Sequence, residues 1–522
     1  MNQTKYCVES SSKWLYPDDV VEVTSDNRGA KLIAAKGGYA SCQILFNGLN
    51  TGGSFKCSFD GPDEFVIEAF QEYDVRVTNN TGVHGFIADY ETAKDYVTKK
   101  APFRVYDALK PMTSDCKVRA ETEAVYISVK VHGSAHSGVY HFTAEFKAGG
   151  YAVEIPIELE VTKSVIPMES LYITNWFSVG NMAHSHGLKP YSEAHWNMIR
   201  YYGEAMRRGR QNCFWVTWDS VIKGGDYKNG YTFDFSRVKR LIDTYLGMGF
   251  TCIEGAPVTG RDSWDGEVFK VSAPDGYVEA LSEQGYVYLS QFLIAWREFL
   301  KENGWLNLLI QHIGDEPHGK CAAEFRILSG IVRKYLPGVP LIEAVETHEL
   351  YGALDIWVPK NDYYTRNTEQ LENHRKLGDR IWIYTCCIPG GFYANRLLDM
   401  PLLRTRMLHW GNYKYDIEGF LHWGLNHWRH DQNPFEETCP PNGPTNFLPA
   451  GDTNIVYPGD DGDVWISMRL EQMRAGAEEY ELFKQLGGKG DEILNACFRA
   501  FNDCDNDPAV FDDMRAKLLR LK

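Results

Sequence analysis

Two adjacent carboxylates, Asp315 and Glu316, stand in the segment 311–320, QHIGDEPHGK, just after an apolar run and just before a proline. Cleavage of a glycosidic bond calls for such a pair of carboxyls. Crowding adds to their fitness, because two neighbouring carboxyls resist ionising together and one is kept protonated near neutral pH. The competing reading is a solvated acidic loop, or an N-cap for a helix over 321–335, where Asp and Glu are favoured in any case.

The elements that would position the pair can be read on either side of it. Residues 307–313, NLLIQHI, have the composition of a buried parallel strand. Gly314 permits an irregular backbone and Pro317 stops the ladder. Strict alternation would send Asp315 and Glu316 to opposite faces, but at a frayed strand end both can turn toward one pocket. Strand-like runs recur at 171–177, 213–218, 251–258, 307–313, 340–345, 356–359, 380–387 and 419–423. Helical spacing fills 193–208, 235–246, 288–301, 323–334, 370–377 and 402–413, whereas 346–355 is too short for a long helix. This alternation predicts a (β/α)8 TIM-type barrel whose active site lies at the C-terminal strand ends, with the pair after the fourth strand.

Other strand ends carry residues suited to such a mouth: Trp176 after the first run, Trp218 after the second, Tyr364 after the sixth, Tyr384 after the seventh, and Trp423 and Asn426 after the eighth. With 14 Trp and 30 Tyr the chain is aromatic-rich. Sugar rings stack on aromatic planes, although such residues fill cores as well. His312 and His318 flank the pair and could hydrogen-bond a carboxylate or a substrate hydroxyl. A metal site at His184, His186 and His195 lacks a carboxylate partner, and no serine has the glycine spacing of a nucleophile elbow, so neither a metal nor another cofactor is expected.

A chain of 522 residues is too long for one core. Within residues 1–165, the segments 31–45, 65–77, 124–131, 138–146 and 151–161 alternate apolar and polar residues between Gly, Asn and Asp turns, which predicts an antiparallel β-sandwich. The barrel would occupy 166–430. A loop-rich and helical extension would occupy 431–522, with helices over 463–485 and 491–521. The formal charge of −16 opposes nucleic acid as a partner. No signal-like or membrane-length apolar run occurs, and the 12 Cys include the vicinal Cys386 and Cys387 but no CxxC, so reduced thiols in a cytoplasm are expected, with a homo-oligomer left open.

The segment HIGDEPHG, with 384–395, YTCCIPGGFYAN, then Asp399, Pro401, Arg406, Trp410 and 419–428, GFLHWGLNHW, resembles glycoside hydrolase family 123. That resemblance implies a β-sandwich ahead of a (β/α)8 barrel and a β-N-acetylgalactosaminidase that retains configuration by substrate assistance. It further implies that Asp315 orients and polarises a 2-acetamido group, that Glu316 is the general acid/base, and that Trp410 belongs to the sugar site. The seventh run, RIWIYTCCIPGG, carries no Asp or Glu where barrel glycosidases with an acid after strand four keep their nucleophile. Tyr384 stands there and could hydrogen-bond the acetamido oxygen. The alternatives are a conventional two-carboxylate glycosidase using Glu254, Glu343 or Asp362 as nucleophile, and a non-catalytic carbohydrate-binding protein.

Overall fold

The computed structural model describes residues 4–113, 116–148 and 150–521; residues 1–3, 114–115, 149 and 522, which the domain ranges above include, lie outside the described residues. The N-terminal third contributes to two large sheets. One has seven strands in the order Lys5–Ser10, Tyr39–Asn47, Glu123–Val131, Phe65–Val77, Phe103–Pro111, Val464–Ser467, Tyr457–Pro458. The other has four, in the order Ala30–Lys36, Tyr151–Val165, Gly138–Ala148, Phe55–Phe59. Alternation decides which side chains enter the core. Along Tyr151–Val165, Ile155, Ile157, Leu159 and Val161 are buried while Glu154, Pro156 and Glu158 are exposed. The inward residues of both sheets meet in one core, where Phe46 and Phe146 lie 5.3 Å apart between ring centroids.

Two expectations for this region change. The run 31–45 is not one segment: the backbone turns at Gly37, with φ of 76°, and Ala30–Lys36 and Tyr39–Asn47 join different sheets. The pairing of Ala30–Lys36 with Tyr151–Val165 is parallel, the one such pairing among the described residues of these sheets. Near the C-terminus, the expected helix over 463–485 begins instead as the strand Val464–Ser467, which pairs Ile466 with Leu109. The helix Met468–Leu486 follows, capped by the Ser467 hydroxyl accepting from Leu470 N at 3.0 Å. The expected helix over 491–521 is broken into Asp491–Cys497, a short hairpin and Pro508–Arg520, because Asp507 and Pro508 supply a fresh N-cap and N1.

Between these parts, eight short strands alternate with helices: Tyr172–Asn175, Cys213–Val216, Cys252–Gly255, Leu309–Gln311, Ile342–Val345, Ile356–Pro359, a seventh split into Arg380–Ile381 and Ile383–Tyr384, and Gly419–His422. All their mutual pairings are parallel: first with eighth, eighth with seventh, second with third, third with fourth, fifth with sixth and sixth with seventh. Isolated parallel bridges Gln311–Leu341 and Lys360–Tyr384 tie neighbouring sheets together. Between the first and second strands the Asn212 side chain accepts from Ile173 N at 2.9 Å and donates to Leu171 O at 3.0 Å. Nearly every residue of these strands is buried, as expected for parallel strands covered by helices.

The covering helices follow their sequence signals. Glu193–Arg208 is capped by Ser192 and turns Trp196, Ile199, Tyr202 and Met206 inward. Glu283–Glu302 starts a turn and a half before the apolar spacing at Tyr288, because Ser282 caps it on Gly285 N. Residues 346–355 form turns without a helix. Among the described residues no helix is long and apolar enough to cross a membrane.

Candidate active site

Beyond Gln311 the fourth strand runs into a loop that carries both Asp315 and Glu316, each partly exposed. Glycine is required at 314 for space: a Cβ there would stand 2.4 Å from the Phe269 ring. Glu316 sits in the left-handed region, with φ of 41°, a conformation that costs an L-residue about 1–2 kcal/mol. One guanidinium holds this turn, since Arg261 Nη2 donates to the carbonyls of Asp315 at 2.9 Å and Glu316 at 3.0 Å. From the end of the seventh strand the Tyr384 hydroxyl donates to Glu316 Oε1.

A buried charged floor lies under the pair. His312 Nδ1 is 2.8 Å from Glu343 Oε1 and its Nε2 is 2.9 Å from Glu254 Oε1. The second oxygen of Glu343 accepts from Ile313 N and Gly314 N, both at 3.1 Å. Glu254 also accepts from Trp176 Nε1 at 2.8 Å and from the Thr174 hydroxyl. The Trp176 ring in turn stacks on Trp215, with centroids 4.1 Å apart. His312, Glu254 and Glu343 are all fully buried.

These surroundings split the acidities. Burial, then the charge of Glu343, pushes the Asp315 carboxyl up to about 6, against the pull of His312 and Arg261. Glu316 is raised to about 7 by burial and by Asp315, with the Tyr384 hydrogen bond and Lys360 acting the other way. Burial and the neighbouring carboxylates push the Tyr384 phenol well above its usual range, so it stays a donor. Both carboxyls are raised above the usual carboxylate range, Glu316 to the higher value, so Glu316 is the one favoured to keep a proton beside an ionised Asp315. The two titrate as a coupled pair.

The structure brings Asp315, Glu316, Tyr384, His312 and Trp176 together. Trp218 lies at the end of the second strand with its indole donating to Pro257 O at 2.9 Å and its ring edge-on to Phe292 and Trp296. Trp423 is half-buried and donates to Asp452 at 3.1 Å, whose carboxyl burial pushes up to about 7. Asn426 ties two loops, donating to Ser178 O at 3.1 Å and accepting from Ser178 N at 2.8 Å. Two of the named residues have partners elsewhere: the Tyr364 hydroxyl donates to Glu372, and Trp410 is buried in the helix Leu403–Lys414 with its indole on Glu479. His184, His186 and His195 part company, binding His430 O, the Tyr202 hydroxyl and Val179 O respectively. His318 Nε2 faces Gly266 O at 3.2 Å.

Sequence reasoning did not single out Arg261, Thr174, Trp215 or Lys360. For the floor a signal existed: Glu254 and Glu343 interrupt the buried runs CIEG and IEAV, and a carboxylate in such a run has to be paired.

The segment that follows Tyr384 is braced by a small N-terminal hairpin, in which Asn80–Thr81 pairs with Ile87–Ala88. Asp399 accepts from Thr81 N and the Thr81 hydroxyl, both at 2.7 Å, and from Asn80 Nδ2 at 3.2 Å. The backbones touch so closely that a Cβ on Gly390 would stand 1.8 Å from Gly82 O, and one on Gly85 2.0 Å from Cys387 O.

Comparisons with known proteins bear on the family and the fold. The family model described as glycoside hydrolase 123, catalytic domain, matches residues 176–486, more than half of the chain. A solved structure of a family 123 glycoside hydrolase from Clostridium perfringens, studied for glycolipid glycan hydrolysis, has a TM-score of 0.76 at 14% identity over 99% of this chain and 97% of that one. An endo-β-1,4-mannanase from Thermotoga petrophila is much less similar (TM-score 0.37, 10% identity, 60% and 77% coverage). A family 10 xylanase from Clostridium thermocellum (0.36, 9%, 90% and 94%) is equally distant. Comparison with curated proteins gave no match in sequence.

Proposed function

The chain belongs to glycoside hydrolase family 123, and from that premise we propose that it hydrolyses β-linked N-acetylhexosamine, with N-acetylgalactosamine the first choice, by a retaining, substrate-assisted mechanism. In the architecture that goes with this reading, residues 1–165 are a β-sandwich, 166–430 a (β/α)8 barrel and 431–522 an extension that returns a hairpin to the sandwich.

One observation supports the mechanism: among the described residues, each of the three carboxylates that a conventional mechanism would offer as nucleophile, Glu254, Glu343 and Asp362, is already engaged. Glu254 and Glu343 are spent on His312, Trp176, Thr174 and two backbone amides. Asp362 pairs with Arg366 at 2.7 Å on its own helix. At the end of the seventh strand stands Tyr384, already bonded to Glu316. The nucleophile then has to come with the substrate, as the carbonyl oxygen of a 2-acetamido group.

In this mechanism Glu316 gives its proton to the glycosidic oxygen while the acetamido oxygen attacks C1 and the C1–O bond breaks. Asp315, ionised, accepts a hydrogen bond from the acetamido N–H and stabilises the positive charge of the oxazolinium-type intermediate. Glu316, now a carboxylate, takes a proton from water as the water opens the ring from the face the aglycone left, so the product retains its configuration. Trp176 and Trp423 supply stacking surfaces for the sugar.

The test is hydrolysis of aryl β-N-acetylgalactosaminide, β-N-acetylglucosaminide and the corresponding 2-hydroxy glycosides, with the first product anomer read by proton NMR. Turnover of the acetamido sugars alone, with a β product, is the expected result. Comparable turnover of 2-hydroxy glycosides would overturn the mechanism.

A further inference from the structure

His312 fell among the candidate sugar-binding residues, yet it has no atom left to offer a sugar. It is fully buried, both ring nitrogens lie within 2.9 Å of carboxylate oxygens, and the rings of Trp176 and Trp215 stand edge-on to it, each at 5.5 Å. A neutral imidazole has one N–H and one lone pair, so one of its nitrogens would face a carboxylate lone pair. Two carboxylates on opposite edges therefore select the imidazolium, which donates to both.

The two acceptors lead to different parts of the site. Glu343 grips the amides of Ile313 and Gly314, the residues immediately before Asp315. Glu254 grips Trp176 and Thr174 on the first strand. We propose that His312 is a positioning residue: a cationic clamp that joins the Asp315–Glu316 loop to the Trp176 surface through Glu343 and Glu254, and holds the floor beneath the pair at one net negative charge instead of two. Besides these two carboxylates, Asp315 feels the charge of His312, and the tryptophan rings add no charge. The clamp also accounts for buried carboxylates in the third and fifth strands, on either side of the fourth, since each would be costly to bury without the shared cation.

The role assigned to the pair rests on the function proposed above, so the test has one arm that needs no substrate. Nitrogen-15 NMR of histidine-labelled protein should show one histidine with both ring nitrogens protonated from pH 5 to 9, lost in His312→Gln and shifted in Glu254→Gln. An imidazole titrating near its ordinary value, or a neutral tautomer, would overturn the proposal whatever the enzyme hydrolyses.

The second arm is the pH profile of kcat/KM. Removing the cation in His312→Gln adds net negative charge beneath Asp315 and Glu316 and should move both limbs upward by about half to one pH unit. Removing an anion in Glu254→Gln should move them downward by a similar amount. In both variants kcat should fall more than tenfold while KM changes less than threefold. Loss of packing alone lowers the height of the profile and cannot displace it in opposite directions. Limbs that stay in place, or that move the same way in both variants, would sink the assignment. If His312→Gln does not fold, Glu254→Gln and the wild-type spectrum still decide it.

Discussion

Replacing Tyr384 by Phe removes one oxygen from the site, and its effect can be worked from what surrounds Glu316. In the proposed mechanism Glu316 acts protonated and Asp315 ionised, so activity should fall as pH rises through about 7 and as pH falls through about 6. The Tyr384 hydroxyl donates to the Glu316 carboxylate and so favours its ionised form. A hydrogen bond to a charged group contributes about 1.5–3 kcal/mol, which at 1.36 kcal/mol per unit is roughly one to two pKa units. Lys360 remains nearby and a water can enter the space of the lost oxygen, so the net rise should be about one unit. The alkaline limb of kcat/KM is then expected near pH ~8 in Tyr384→Phe, with the acid limb displaced much less. Profiles on an aryl β-N-acetylgalactosaminide, each normalised to its own maximum, measure this directly. An alkaline limb that stays in place or moves downward would refute the view that this hydroxyl tunes the acid.

Other expectations follow from the same geometry. Glu316→Gln should lower activity ~10²- to 10⁴-fold on substrates with poor leaving groups and much less on activated aryl glycosides; equal losses would remove Glu316 from the acid role. Asp315→Asn should slow good and poor leaving groups alike, as judged from kcat/KM across a series of aryl aglycones, and rescue by a better leaving group would mean that the roles are exchanged. A thiazoline mimic of the cyclised acetamido sugar should inhibit competitively and more weakly in Asp315→Asn, whereas a covalent adduct with a 2-fluoro sugar seen by intact mass would point to a carboxylate nucleophile. Gly314→Ala should destabilise the protein by about 1–3 kcal/mol in urea unfolding and depress activity, because its methyl would meet Phe269 and the Thr259 hydroxyl; a neutral effect would show that the loop can yield.

The eight parallel strands were legible because burial on both faces writes short apolar runs, and covering helices such as Glu193–Arg208 and Ser236–Gly247 because their apolar spacing matches 3.6 residues per turn. Their ends were less legible where a cap such as Ser282 lies outside the apolar pattern. Asp315 and Glu316 were readable from their motif. The hydrogen bonds of His312 were not, since they exist only once the third, fourth and fifth strands lie side by side, and nothing local to HIGDEP encodes that. Tyr384 was found by position, yet its bond to Glu316 depends on the left-handed turn at a residue that is not glycine, which no spacing announces. The strand Val464–Ser467 escaped because four residues leading straight into a helix carry no period of their own, and their partner lies far back in the chain.

That strand has a consequence for how the molecule is made. The sheet that begins with Lys5–Ser10 is finished by Val464–Ser467 and Tyr457–Pro458, so its last two members leave the ribosome after more than half of the chain has been synthesised. At about 5–20 residues per second, the end of Phe103–Pro111 around Ala108 and Leu109 waits for tens of seconds without its late partner. An edge left unpaired in this way is a template for pairing with another nascent chain. Translation speed and chaperone supply between residues 131 and 457 should therefore govern the yield of native protein, and chains stalled before residue 457 should aggregate through that open edge.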